Sequence, residues 1–393
     1  MPPSDTHRVP PAVDESWMPP SRSPWSETWR LLRKNRMAFF GFAIFVAFFL
    51  LAVTGVLLTS GKHPLLDPSQ VRLQEKLRPP LSLPRIDILQ PAERPTLGIY
   101  LLGTDDLGRD VFARMLQGAW VSLTVGFVAV GIAVVIGILL GGLAGYFGQM
   151  PVRLGHFLVW TLFAILLFAL MSGMYRLAGL AALLTAAGWM LSRRSGRWFE
   201  AQASPGQRRW YDPLRRPVMS VDTLIMRAVD IMLCFPSFFL ILTVVALLPA
   251  SLYNIMIVIG LTSWMGTTRF VRAEFLSLRE QDFVAAARAL GLSDMRIIFR
   301  HIMPNAVAPV LVSATLGIAS AMLTEAGLSF LGFGVPPPHA TWGNILSDGK
   351  DFIFDAPWLT FAPGIVILVV VLAFNLFGEG LRDILNPKLR ERN

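Results

Sequence analysis

Charge is scarce in this sequence, and so are the residues on which soluble catalysis usually rests. Asp, Glu, Lys and Arg make up 16% of its 393 residues and hydrophobic residues 54%, against about 25% and about 45–50% in an ordinary soluble domain. The one cysteine, Cys234, excludes an intramolecular disulfide and, lying inside an apolar run, says nothing about redox compartment. His7, His63, His156, His301 and His339 are too scattered to suggest a ligand set. There is no Gly-four-residues-Gly-Lys-Ser/Thr phosphate loop, which excludes ATP binding of that kind by this chain. A His-Glu-two-residues-His zinc pattern and a Gly-X-Ser-X-Gly nucleophile elbow are also missing. The expectation is a protein that is not an enzyme and carries no metal or cofactor of its own. Residues 1–22 have no apolar core to serve as a cleavable signal; they are rich in Pro, Ser and charge and read as a disordered tail.

What is present is apolar sequence in long runs. Several reach the roughly 18–20 residues that cross a hydrocarbon core of about 30 Å as a helix. The formal net charge of +9 does not point to nucleic acid, because Lys and Arg gather at the ends of these runs, where positive charge orients helices. After Ser23 and Pro24, residues Trp25, Trp29 and Leu32 recur at helical spacing among Arg30, Arg33, Lys34 and Arg36, which predicts an interfacial helix. Spans are predicted at 37–58, 120–146, 224–249, 252–268, 305–327 and 359–377. A Pro-rich external stretch follows the first, and Gly137, Gly141, Gly142, Gly145 and Gly148 give the second a stripe for close helix packing. Between 149 and 220 two further apolar runs, 156–171 and 177–191, read as a transmembrane hairpin, followed by a basic loop from Arg193 to Arg216. The divisions are 1–36, a tail and interfacial helix; 37–148, two spans and an external loop; 149–220, the insert; and 221–393, the remaining core. The fold class is an all-α polytopic transmembrane bundle of six core spans and two inserted ones, with both termini cytoplasmic.

Residues 282–305 read as two short helices. Gly291 ends the first in a left-handed backbone, Ser293 caps the second, and Pro304, without an amide to continue it, turns the chain into the fifth span. Ala285, Ala286 and Ala289 make a small-residue face that a partner's groove can accept, although composition alone favours an ordinary amphipathic loop on the membrane surface.

This segment resembles the cytoplasmic loop of binding-protein-dependent ABC importer permeases, with Ala286, Ala287 and Gly291 matching that family's Ala-Ala-three-residues-Gly pattern and Ala285 standing where the family commonly has an acid. Other blocks resemble the dipeptide, oligopeptide and nickel subfamily in order. They are Gly103 to Asp110, Gly145 to Gly148, Met226 to Asp230 with Pro236, Leu328 to Gly334, and Phe374 to Asp383. The match covers 25–148 and 221–390, and the insert departs from it. The resemblance implies an ATPase-coupling role for Ala285, Ala286, Ala287, Ala289, Gly291 and Pro304. It implies a second homologous permease, two cytoplasmic ATPase subunits that bind the ATP, an external solute-binding protein, a lipid environment in the inner membrane, and a peptide or nickel-like solute. The alternative class is an ion-coupled secondary transporter, which needs no ATPase contact loop.

Gly103, Thr104, Asp105, Gly108, Arg109 and Asp110 read as a tight polar external loop near the entrance, rather than a carboxylate pair or metal site. Intramembrane ionisable groups are costly and mark pathways or paired sites. Arg227 and Asp230 are spaced to pair on one helix face. For Glu325, lining a gate and bonding to a neighbouring helix stay equally open.

Overall fold

The computed structural model describes residues 24–61, 64–153, 179–180, 182–186 and 217–385. The chain begins with an amphipathic helix α1 (Pro24–Lys34), and Asn35 then caps α2 (Arg36–Thr59) by accepting from the Ala38 amide at 3.2 Å. Small residues set how closely α2 packs: a Cβ on Gly55 would stand 2.4 Å from the Leu116 carbonyl oxygen, and one on Gly41 2.7 Å from the Phe377 nitrogen. The central element is α3 (Val111–Tyr146), which starts nine residues before the span predicted at 120 because Asp110 caps it, accepting from the amides of Phe112 and Ala113. After α3, strand β1 (Pro151–Arg153) pairs antiparallel with β2 (Pro217–Ser220), matching Pro151 with Ser220 and Val152 with Met219. The predicted hairpin between them lies outside the described residues, apart from the helical stretches 179–180 and 182–186.

The third and fourth predicted spans do not form as single helices. The third is α4 (Val221–Leu233) and α5 (Ser237–Leu247), bent by 79° at a break that holds Pro236. Proline supplies no amide to the helix ladder there. The fourth divides at Ser263 into α6 (Leu252–Thr262) and α7 (Trp264–Arg279). Two adjacent hydroxyls compete for the backbone at that point, Thr262 Oγ1 donating to the Val258 carbonyl at 2.7 Å and Ser263 Oγ to the Ile259 carbonyl at 2.6 Å. At about 16 Å, α6 is too short to cross alone. Beyond residue 268, where the fourth span was predicted to end, the helix runs on to Arg279 as the continuation of α7 against α3.

The chain continues through α8 (Asp282–Ala289), α9 (Asp294–Ile297), a π-helical turn over 298–302, α10 (Met303–Phe330), α11 (Trp342–Gly349) and α12 (Trp358–Leu385). Among the described residues four helices, α2, α3, α10 and α12, are long and apolar enough to cross a membrane, and the bent α4–α5 pair makes a fifth if its halves are one span. The glycine stripe of α3 meets α7: a Cβ on Gly137 would stand 2.6 Å from Thr267 Cβ, one on Gly141 2.6 Å from the Thr268 oxygen, and one on Gly145 2.5 Å from Phe275 Cβ. The main core gathers residues of α2, α3, α5, α6, α10, α11 and α12, with Trp342 and Phe374 among its largest buried side chains. A second cluster, Tyr146, Val271, Phe275, Val284, Ala287, Ile297 and Ile302, lies at the end of α3 that faces α8 and α9.

Candidate functional site

At the Gly291 end of the bundle, the local rules for ending a helix are met in full. Gly291 has φ +73°, its amide bonds to the Arg288 carbonyl at 2.9 Å, and the Leu292 amide reaches back to the Ala287 carbonyl at 3.2 Å. This paired closure ends α8 in a left-handed residue and needs no side chain there. Helix α8 buries Val284 and Ala287 and exposes Ala285, Ala286 and Ala289. Ala287 therefore differs from its neighbours in the motif: it packs inward on the second cluster. On the same segment Phe283, Leu290, Met295 and Phe299 are exposed too, Leu290 at 81%, so the segment presents apolar as well as small side chains. The periodicity of so short a helix does not say which side is outward, and these four residues were not legible as a patch.

Pro304 does not turn the chain. The backbone is helical from Asp294 to Phe330, and Pro304 sits in the first turn of α10 behind the π-turn. A proline ring would clash with the carbonyl four residues back in an α-helix, and the wider π-turn relieves that clash. Asn305 Nδ2 also donates to the His301 carbonyl at 2.6 Å.

The segment is tied to the end of α3. Tyr146, the last residue of α3, donates from its hydroxyl to Asp294 Oδ1 at 2.6 Å, and the Arg288 guanidinium lies 5.5 Å over its ring. Arg279 Nη1 donates to the carbonyls of Gly145 and Tyr146 at 3.4 and 3.2 Å, satisfying two acceptors that the helix end leaves open. Arg272 forms a two-pronged bond with Asp222 on α4.

At the opposite end, the 103–110 loop is a buried ionic network. Gly103 (φ +76°) and Gly108 (φ +72°) make its turns, and a Cβ on Gly108 would fall 1.8 Å from the Arg72 carbonyl oxygen. Thr104 is buried and its hydroxyl accepts from the Arg78 amide at 2.8 Å. The fully buried Asp105 accepts from the amides of Leu107 and Arg109, from Arg109 Nε at 2.6 Å and from Arg114 Nη1 at 2.6 Å. Arg114 Nη2 continues to Asp348 on α11 at 2.9 Å, and Arg109 Nη2 reaches the same carboxylate at 3.4 Å. Burial, and then the charges of Asp105 and Asp348, hold the Asp106 carboxyl above its ordinary range; burial does the same for Asp110 against the pull of its capped amides. With two arginines saturating these carboxylates, the loop is a clamp joining α3 to α11, and among the described residues no group of three or more His, Cys, Asp or Glu is placed to hold a metal ion. Arg114 and Asp348, far apart in sequence, were not legible as its members.

Two intramembrane readings change. Asp230 pairs with Arg269 of α7 at 2.6 Å, not with Arg227, because α7 brings a guanidinium to it across the helix pair; both partners are about half exposed. Such a pair contributes little, about 0–1 kcal/mol. Glu325, 1% exposed, accepts from Ser329 Oγ at 2.7 Å one turn along its own helix and also meets the Thr341 side chain ahead of α11.

Comparison with known proteins places these features in a family. Residues 215–391 match the model described as "Binding-protein-dependent transport system inner membrane component", and residues 23–80 match "N-terminal TM domain of oligopeptide transport permease C". The dipeptide transport system permease protein DppC of Alkalihalophilus pseudofirmus is 36% identical over 94% of this chain and 91% of its own length. The di/tripeptide transport system permease protein DppC of Pseudomonas aeruginosa is 33% identical over 97% of each. Among solved structures, a chain of the MetNI methionine ABC transporter aligns with TM-score 0.40 and 16% identity over 68% of this chain and 95% of that one.

Proposed function

We propose that this chain, which belongs to the binding-protein-dependent transport system inner membrane components as a permease subunit of an ATP-binding-cassette importer, passes short peptides across the inner membrane. Membership of an ATP-driven family sets aside the ion-coupled alternative. The peptide reading is supported by relatives whose names specify dipeptides and di- or tripeptides; nickel has no such support. The chain itself performs no chemistry in this reading. ATP is bound by two cytoplasmic ATPase subunits, a second homologous permease completes the pathway, and an external binding protein delivers the solute. Both termini and the Gly291 end are cytoplasmic, and the Asp105 clamp is external.

The observation that carries the coupling role is the exposed face of α8, where Ala285, Ala286 and Ala289 stand clear of the core and Gly291 ends the helix. Small side chains let a partner's groove reach the backbone, and the exposed Phe283 and Leu290 supply apolar contact beside it. Ala287 supports this face from inside, while Pro304, exposed in the first turn of α10, lies outside α8. The test is Gly291→Val. Nothing lies within 4 Å of a Cβ at Gly291, so the substitution acts through backbone strain alone, at about 1–2 kcal/mol. The variant is expected to reach the membrane while losing ATPase copurification and uptake of a labelled dipeptide into vesicles supplied with the binding protein. Normal attachment and uptake would refute the assignment.

A further inference from the structure

The α8–α9 segment is not a free arm: its apolar residues pack on the second cluster, and one side-chain hydrogen bond ties it to the end of α3. Tyr146 ends α3 with its ring buried among Val271, Phe275, Val284, Ala287, Ile297 and Ile302. Its hydroxyl emerges to hold Asp294 at 2.6 Å, on the far side of Gly291 from the alanine face. Arg288, on α8 itself, lies over the same ring. One tyrosine therefore touches both arms of the segment.

Helix α3 then runs 36 residues without a break, about 54 Å at the α-helical rise, and four residues into it Arg114 forms the ion pair with Asp348. The glycine stripe keeps α7 so close to α3 that the two cannot slide freely. A displacement applied at Asp294 thus has a continuous, well-packed route to the Arg114–Asp348 clamp.

Resting on the coupling reading above, we propose that Tyr146 is a positioning residue for transport: its hydrogen bond to Asp294 passes the movement of the ATPase-docked segment to α3, and α3 carries it to the outer clamp. The bond is dispensable for docking, since the alanine face and the Gly291 closure are formed without the hydroxyl. Tyr146→Phe keeps the buried ring and the stacking of Arg288 on it and removes the hydroxyl's bonds, to Asp294 and to the Arg288 side chain; the Asp294 variants below isolate the first.

The experiment uses the assembled complex in nanodiscs, in a Cys234→Ser background, with spin labels at Leu73→Cys and Phe354→Cys, positions 64% and 97% exposed on the two outer segments. The label distance is measured before and after trapping with ATP and vanadate. The parent is expected to show a shift on trapping. Tyr146→Phe should lose that shift while retaining ATPase copurification and ATP hydrolysis. Asp294→Asn, which keeps an acceptor oxygen, should retain the shift, and Asp294→Ala should lose it. A full shift in Tyr146→Phe, no shift in the parent, or detachment of the ATPase from Tyr146→Phe would each overturn the inference. Gly291→Val separates the two proposals. ATPase that stays bound to that variant defeats the docking reading, whereas ATPase that leaves it while Tyr146→Phe still shifts defeats this one alone.

Discussion

Tyr100 shows how one side chain in the outer segment sets a cost that the fold carries. The residue is fully buried and its hydroxyl finds no hydrogen-bond partner among the described residues. Burial pushes its pKa from the ordinary 10 up to about 12, with Arg72 and Arg78 opposing and Glu75 and Asp110 assisting. The raised value belongs to the folded state. Below the unfolded pKa both states hold the proton; as pH rises past it the unfolded chain releases a proton that the folded chain keeps, so stability falls until pH passes the folded value. Thermal stability in detergent should therefore fall above about pH 10, and Tyr100→Phe should remove Tyr100's share of that alkaline loss. At neutral pH the same variant should be neutral or more stable, because an unpaired buried polar group costs about 1–3 kcal/mol. A clear drop in melting temperature at neutral pH would show that the hydroxyl has a partner, such as an ordered water.

At the scale of elements, the contact of α3 with α7 is the one to test. Lipid offers no hydrophobic drive between helices, so their association depends on close packing. Gly141 sits where a Cβ would press 2.6 Å from the Thr268 oxygen, whereas at Gly131, exposed on the same helix, nothing lies within 4 Å. Gly141→Ala should separate the helices and destabilise the bundle by about 1–3 kcal/mol. Gly131→Ala should be neutral or stabilise by up to about 1 kcal/mol through helix propensity. Equal melting temperatures for the two variants would show that the stripe does not govern packing. The same contact holds α7 as one helix past residue 268, where the predicted span stops because Arg269, Arg272 and Arg279 follow.

For the whole molecule, the open question is what residues 154–216 do. Strands β1 and β2 bring the two ends of that segment together at one end of α3 and α4. A chain that leaves and returns at one place crosses the membrane an even number of times or not at all, so the proposed hairpin fits there and a single crossing does not. The pairing also makes excision practicable. Replacing 154–216 by Asn-Gly would join β1 to β2 through a tight two-residue turn. The expected outcome is a chain that still inserts, still copurifies with its ATPase and keeps its preference among labelled dipeptides, with any loss falling on complex yield. A changed preference with normal yield would place the insert on the solute pathway.

Much of this was legible in the chain, because hydropathy and helix termination are local properties. The first and fifth spans lie within three residues of α2 and α10, the sixth starts with α12 but stops eight residues short of its end, and Gly291 ends α8 as its neighbours require. Family membership was legible from short motifs in order. The start of α3 was missed because Arg114 and Gln117 interrupt the apolar run of its first turns, Arg114 being paired with Asp105 and Asp348 in the clamp. Spans three and four were read as continuous because apolar content does not register a proline break or two hydroxyls competing for carbonyls. Partner choice was illegible altogether. Arg227 is three residues from Asp230, yet Asp230 bonds to Arg269; Arg114 meets Asp348 across 234 positions and Tyr146 meets Asp294 across 148. The sequence by itself determined which segments enter lipid and where α8 must stop, since those follow from the transfer energy and backbone geometry of neighbouring residues. Only the tertiary structure decided which charges meet and which helix carries the link between the two polar ends, because an ion pair or a hydrogen bond depends on distance in space, and packing sets that distance.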